Sequence, residues 1–155
     1  TVQWDALQRI GSYLGRPLRF DSVESAAEEM RKISTGFGPH STEDWLALSR
    51  PMVVRAANDK LRLHYDPGIA SPMRKMTKEA AEGGERYLWK LYEQITARTL
   101  LLRGADSDLL SKETAERMSQ VGPHAQIKEF EFVGHAPTLV AEEQGSAVER
   151  FLCSQ

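Results

Sequence analysis

The spacing of apolar residues along this chain changes near residue 95. Up to that point they recur at three- and four-residue intervals, the period of helices with one buried face. Val2, Leu7, Ile10 and Leu14 predict a short first helix that stops at Gly15 and Pro17. Val23, Ala26, Ala27, Met30 and Ile33 share one face of a second helix over residues 21–34, with Asp21 as cap, Glu24 in capping-box position and Gly36 ending it. Ser41 caps a third, running through Trp45, Leu46 and Leu48 to Pro51. Leu61, Leu63 and Tyr65 alternate with polar residues ahead of Asp66-Pro67-Gly68, so a short strand or extended arm closed by a turn is expected there. Leu88, Leu91, Tyr92 and Ile95 mark one more helix over residues 85–95. This half reads as an all-helical layer without a run of buried strands.

Beyond residue 95 strands and helices alternate. Thr99-Leu100-Leu101-Leu102 is a continuous apolar run, as in a strand covered on both faces of a parallel sheet. Ser111 caps a helix with Ala115, Met118 and Val121 inward, stopped by Gly122-Pro123. Residues 126–133 alternate around Phe130 and Phe132 as a second strand, and residues 139–152 form a closing helix with Val148, Phe151 and Leu152 on one side. The predicted class is therefore α/β: a helical region over 1–95, then a βαβα unit over 96–155. A right-handed crossover makes the two strands parallel, with both carboxyl ends on one edge of the sheet. Open α/β sheets bind their ligands at that edge.

Composition narrows the partners. The chain has 155 residues, 41% hydrophobic and 27% charged, the profile of one soluble domain or part of a larger one. Twenty Lys plus Arg and 22 Asp plus Glu are mixed along it, for a net charge of -2. That leaves no basic footprint for nucleic acid or an anionic membrane. No stretch reaches the roughly 18 to 20 apolar residues of a membrane span, and no secretory signal pattern opens the chain. Cys153 is the only cysteine, which excludes an intrachain disulfide or thiolate cluster and points to a reducing, cytoplasmic setting. Thr1 replaces an initiator Met and no first strand is evident, as in a processed or trimmed piece.

The chemistry to look for lies just after each strand. Arg103-Gly104-Ala105-Asp106-Ser107-Asp108 follows the first and Gly134-His135-Ala136-Pro137 the second. Neighbouring parallel strands lie about 4.8 Å apart, so a carboxylate and an imidazole from these loops can meet although 27 residues separate them (135 minus 108). A carboxylate accepting one ring N–H fixes the tautomer and stabilises the charged imidazole, leaving the other nitrogen to take a proton from a nucleophile. That is two thirds of a catalytic triad. His40, His64 and His124 are scattered singly, without the spacing of zinc ligands, and no metal or cofactor is expected.

The run from Thr99 through Leu100-Leu101-Leu102-Arg103-Gly104-Ala105-Asp106-Ser107-Asp108-Leu109-Leu110 to Ser111, followed by Val133-Gly134-His135-Ala136-Pro137, resembles the last two strands of the α/β-hydrolase family. In that family the order is nucleophile, acid, histidine, with the acid after the penultimate strand and the histidine after the last. The resemblance is specific over residues 99–152 and looser over 1–95, which is similar to the helical cap those enzymes insert after the sixth strand. It implies a hydrolase of small ester-like substrates, with His135 as general base and Asp108 as the acid orienting it. Asp106 competes for that role, because the family often sets its acid three residues after the glycine, where this chain has Ser107. It also makes Trp45 a candidate for lining a substrate pocket in the cap.

The G-x-S-x-G elbow of serine members is missing. Gly11-Ser12-Tyr13-Leu14-Gly15 sets its serine one position early, with no strand ahead of it. The chain therefore reads as a carboxyl-terminal half that supplies acid and histidine and is inactive without an upstream nucleophile. Two parallel strands with a bare apolar edge also predict dimerisation, element swapping or dependence on the missing amino-terminal half. Two aspartates one residue apart after a strand are also similar to the first motif of haloacid-dehalogenase-type phosphatases. That motif sets its aspartates directly on the strand end and needs further acidic ligands later, a pattern this chain does not follow. The competing reading from another class is a non-catalytic helical interaction or oligomerisation module.

Overall fold

Hydroxyl side chains start four of the helices, and they fix much of the local architecture. In the computed structural model, which describes residues 4–154, the helices are α1 Trp4–Tyr13, α2 Val23–Ile33, α3 Thr42–Ser49, α4 Ala70–Lys75, α5 Lys78–Tyr92, α6 Lys112–Gln120 and α7 Glu142–Cys153. The strands are β1 Val53–Arg55, β2 Leu61–Leu63, β3 Leu100–Gly104 and β4 Gln126–Phe130. Ser22, Ser41, Thr77 and Ser111 cap α2, α3, α5 and α6, each accepting a backbone N–H from the first turn. The described residues form two compact units, one of residues 7–35 and 39–75, the other of residues 4–6, 36–38 and 76–154.

In the first unit, α2 buries Ala26, Ala27 and Met30 and packs on α3, which carries the buried Trp45. The cap of α2 is Ser22 rather than the expected Asp21, and Ser25 rather than Glu24 closes the capping box. Ser22 has the extended backbone a cap requires, whereas Asp21 lies one residue too early and pairs with Lys60. Helix α3 follows its expected course from Ser41, with Asp44 closing its box. The first half is not purely helical. β1 and β2 pair antiparallel, Val53 opposite Leu63 and Arg55 opposite Leu61, and Phe20 exchanges two backbone hydrogen bonds with Leu61. Asn58 and Asp59 make the connecting turn with left-handed backbones, φ 61 and 55, which these residue types tolerate. The expected extended arm is β2, and Asp66 accepts the Gly68 N–H at 2.8 Å to form the turn after it.

In the second unit β3 and β4 are parallel, in register from Leu100 opposite Gln126 to Gly104 opposite Phe130, and α6 connects them. Helix α5 begins at the Thr77 cap, well before the expected 85, and its Tyr92 hydroxyl donates to the Met118 carbonyl of α6 at 2.8 Å. Strand β4 stops at Phe130, short of the expected 133. Phe132 takes a left-handed φ of 59 and is 79% exposed, so the chain turns and buries Val133 in its place. The core is Phe130, Val133 and Ala147 with Leu102 packed against them. Leu100, Leu101 and Leu102 are only half-buried rather than fully covered, and β4 is the only strand beside β3 among the described residues. Helix α7 starts at Glu142 after Leu139 takes a left-handed φ of 63, and Leu152 points outward.

Candidate active site

Both predicted loops leave the same edge of the sheet, and backbone hydrogen bonds join them. The Ala105 N–H donates to the Phe130 carbonyl and the Asp106 N–H to the Val133 carbonyl, each at 2.9 Å. The Ser107 N–H returns to the Gly104 carbonyl at 3.0 Å, and the Ser107 hydroxyl accepts the Leu110 N–H at 3.1 Å. The segment carrying Asp106 and Asp108 is therefore a bonded turn laid against the residues just before His135. Asp106, Asp108 and His135 are exposed at this edge.

Two glycines permit the approach. A Cβ at Gly104 would overlap the carbonyl oxygens of Gly134 and Val133, and one at Gly134 would lie 2.9 Å from the Gly36 Cα. Gly134 also donates its N–H to the Gly36 carbonyl at 2.7 Å. Residues 36–38, between α2 and α3 in sequence, thus support the histidine loop. Downstream, the buried Gln144 accepts the Leu139 N–H at 2.8 Å through its side-chain oxygen. The histidine segment is held on both sides.

The acid loop has its own anchor in Arg103, 6% exposed at the end of β3. Its Nε donates to the Leu110 carbonyl at 2.8 Å and a terminal nitrogen donates to the Ala105 carbonyl at 3.3 Å. The same nitrogen pairs with the carboxylate of Glu129, the residue opposite on β4. At the start of α6, Glu113 is held below the usual carboxylate range by its own backbone N–H, the Ser111 hydroxyl and the nearby Arg103 charge.

The sequence singled out Asp106, Asp108 and His135 but not Arg103, Gly36 or Gln144. Arg103 could have been found by setting β3 and β4 in parallel register, which brings it opposite an acidic residue. Gly36 and Gln144 carry no signal in their own neighbourhood.

The other residues considered lie elsewhere. His40 stands edge-on to Trp45, ring centroids 5.6 Å apart, and Trp45 borders a cleft of about 260 Å³ with Ala27, Arg31 and Leu46. His64 and His124 are exposed. Among the described residues no group of three or more His, Cys, Asp or Glu side chains is arranged to hold a metal, and no helix is long and apolar enough to cross a membrane. An apolar cleft of about 520 Å³ opens between α5 and α6, lined by Leu88, Leu91, Ile95, Met118 and, from the acid loop, Leu109.

No family model matches the sequence. A 3-hydroxybutyrate-oligomer hydrolase of Cupriavidus necator is 42% identical over 149 residues, covering 94% of this chain and 51% of that protein. Among solved structures, an α/β hydrolase of Novosphingobium aromaticivorans superposes with a TM-score of 0.77 at 29% identity, over 96% of this chain and 51% of its own. An E-2-(acetamidomethylene)succinate hydrolase superposes with a TM-score of 0.72 at 16% identity, over 98% and 52%. The chain spans about half the length of these proteins. Its fold is that of the α/β hydrolases, matched over about half of their length.

Proposed function

We propose that this chain is the carboxyl-terminal half of an ester hydrolase and supplies the acid and the general base of its triad. The observation that carries the reading is the junction of the two loops, where the Asp106 N–H donates to the Val133 carbonyl at the edge from which Asp108 and His135 extend. His135 takes the proton of a nucleophile borne by the amino-terminal half as that nucleophile attacks the ester carbonyl. The imidazolium returns the proton to the departing alcohol oxygen, and His135 then deprotonates the water that releases the acid product. Asp108 accepts the other ring N–H and stabilises the imidazolium, with Asp106 as the competitor for that part.

The amino-terminal half has a natural seat. Leu88 and Tyr87 on α5 are each 63% exposed, Leu91 and Ile95 are also exposed, and among the described residues β3 has one open edge. An additional parallel strand covered by these apolar residues would satisfy both. A second copy of this chain is the alternative occupant, and light scattering on the chain alone and on the longer protein separates the two.

The similarity to the Cupriavidus necator enzyme makes 3-hydroxybutyrate oligomers the first substrate to try. The 155-residue chain alone is expected to release no 3-hydroxybutyrate, and the protein extended by its amino-terminal half to do so. His135→Ala in the extended protein removes turnover while its thermal melt stays in place. Asp108→Asn costs roughly a thousandfold or more in kcat, as loss of a triad acid does. If Asp106→Asn carries that loss instead, the acid is Asp106.

A further inference from the structure

We propose that Arg103 is a positioning residue that clamps both ends of the acid loop and so sets the carboxylate against the histidine. The proposal rests on the triad reading above. Burying a guanidinium is costly unless its donors and charge are met. Arg103 meets that cost with one carboxylate, Glu129, and two carbonyls, those of Ala105 and Leu110. Those carbonyls bracket the segment containing Asp106 and Asp108.

Joining two strands does not explain this choice. At this register an apolar pair would hold β3 to β4 as well as this half-buried ion pair does. An apolar side chain could not fix two carbonyls at opposite ends of a loop. Nor could lysine reproduce the arrangement, since a compact ammonium on a flexible stem lacks the planar fork that reaches separate acceptors at once. Glu129 in turn fixes the guanidinium from the strand that leads to His135. The acid loop and the histidine strand thus share one rigid cation, in addition to the backbone bond from Asp106 to Val133.

The test uses the extended, active protein with p-nitrophenyl butyrate as probe, and His135→Ala beside each variant. Arg103→Lys keeps the charge and loses the fork. It is expected to lower kcat roughly tenfold to a hundredfold, the scale of a small misplacement of a catalytic group. KM is expected to stay within about twofold, because uniform substrate binding is untouched. The acid limb of the kcat/KM profile moves to lower pH, as a carboxylate held less firmly stabilises the imidazolium less. Glu129→Gln leaves both carbonyl bonds in place and is expected to lower kcat less than Arg103→Lys, by about threefold or more.

A melting temperature that falls while kcat and the pH profile stay at wild-type values makes Arg103 structural only and overturns the proposal. In that case an inactive His135→Ala leaves the triad reading intact. Turnover retained by His135→Ala overturns the triad reading, and the clamp with it. Should Arg103→Lys fail to fold, Glu129→Gln decides: wild-type kcat in a folded protein overturns the clamp.

Discussion

The two units keep their shape by different means. In the helical unit the decisive contacts are between side chains, with Ala26, Ala27 and Met30 of α2 buried and Trp45 of α3 buried in turn. At the β3–β4 edge they are between backbones, with Gly104 and Gly134 too close to their neighbours for any Cβ and amide hydrogens spanning the loops. Side-chain packing accepts an exchange of one apolar group for another of similar volume. A backbone approach accepts no added atom. The comparison teaches that positional accuracy is concentrated where acid and histidine loops meet, while the helical layer has latitude to change its lining.

The sharpest break of this comparison is Gly104→Val. Its side chain would enter the space of two carbonyl oxygens, and a loss of more than about 4 kcal/mol in urea unfolding is expected. Amide exchange should show the acid and histidine loops opening together. Trp45→Ala strikes the other unit and is expected to cost about 3 kcal/mol by leaving a cavity under α2, without changing exchange at residues 105–110. Opening of that loop in Trp45→Ala would refute the division of labour. Ser41→Ala removes the α3 cap, whose hydroxyl accepts the Asp44 N–H at 3.1 Å, for about 1 kcal/mol by thermal melting.

The smallest expected effect is acid sensitivity, and it does not discriminate between the units. Glu24 and Asp44 are held below their ordinary values of 4.5 and 3.8, first by the hydroxyls of Ser22 and Ser41. Glu79 and Glu113 are held below 4.5, first by their own backbone N–H groups. All four lie in the first turns of α2, α3, α5 and α6, where the helix dipole favours negative charge. Because the folded values are depressed, the stabilisation is present above pH 4.5 and lost as pH falls through the folded values. Helicity followed by circular dichroism from neutral pH downward should decline gradually in that window, with both units affected.

What the sequence disclosed follows from the range of each interaction. The Ser41 cap, the Leu100-Leu101-Leu102 run and the Ser111 cap are local signals, and their elements formed where expected. The arm that becomes β2 was legible, but its partner β1 escaped notice because a three-residue strand is too short to establish an alternation. The end of β4 was misplaced because Phe132 continues the apolar alternation while its backbone has already turned. In the candidate site, the shared edge of the two loops was legible from strand order. Gly36 and Gln144 were not, since each acts on a loop through a contact that only the folded chain creates.

The bond from Gly134 to Gly36 joins residues 98 positions apart (134 minus 36). Closing so long a loop is entropically costly, and contacts of high sequence separation form late and slowly. The histidine loop is therefore expected among the last parts of the chain to take its shape, a point that pulse-labelled amide exchange at residues 134–136 checks. A chain arrested after its helices and strands have formed, but before this closure, would carry all of its chemical groups and none of their geometry.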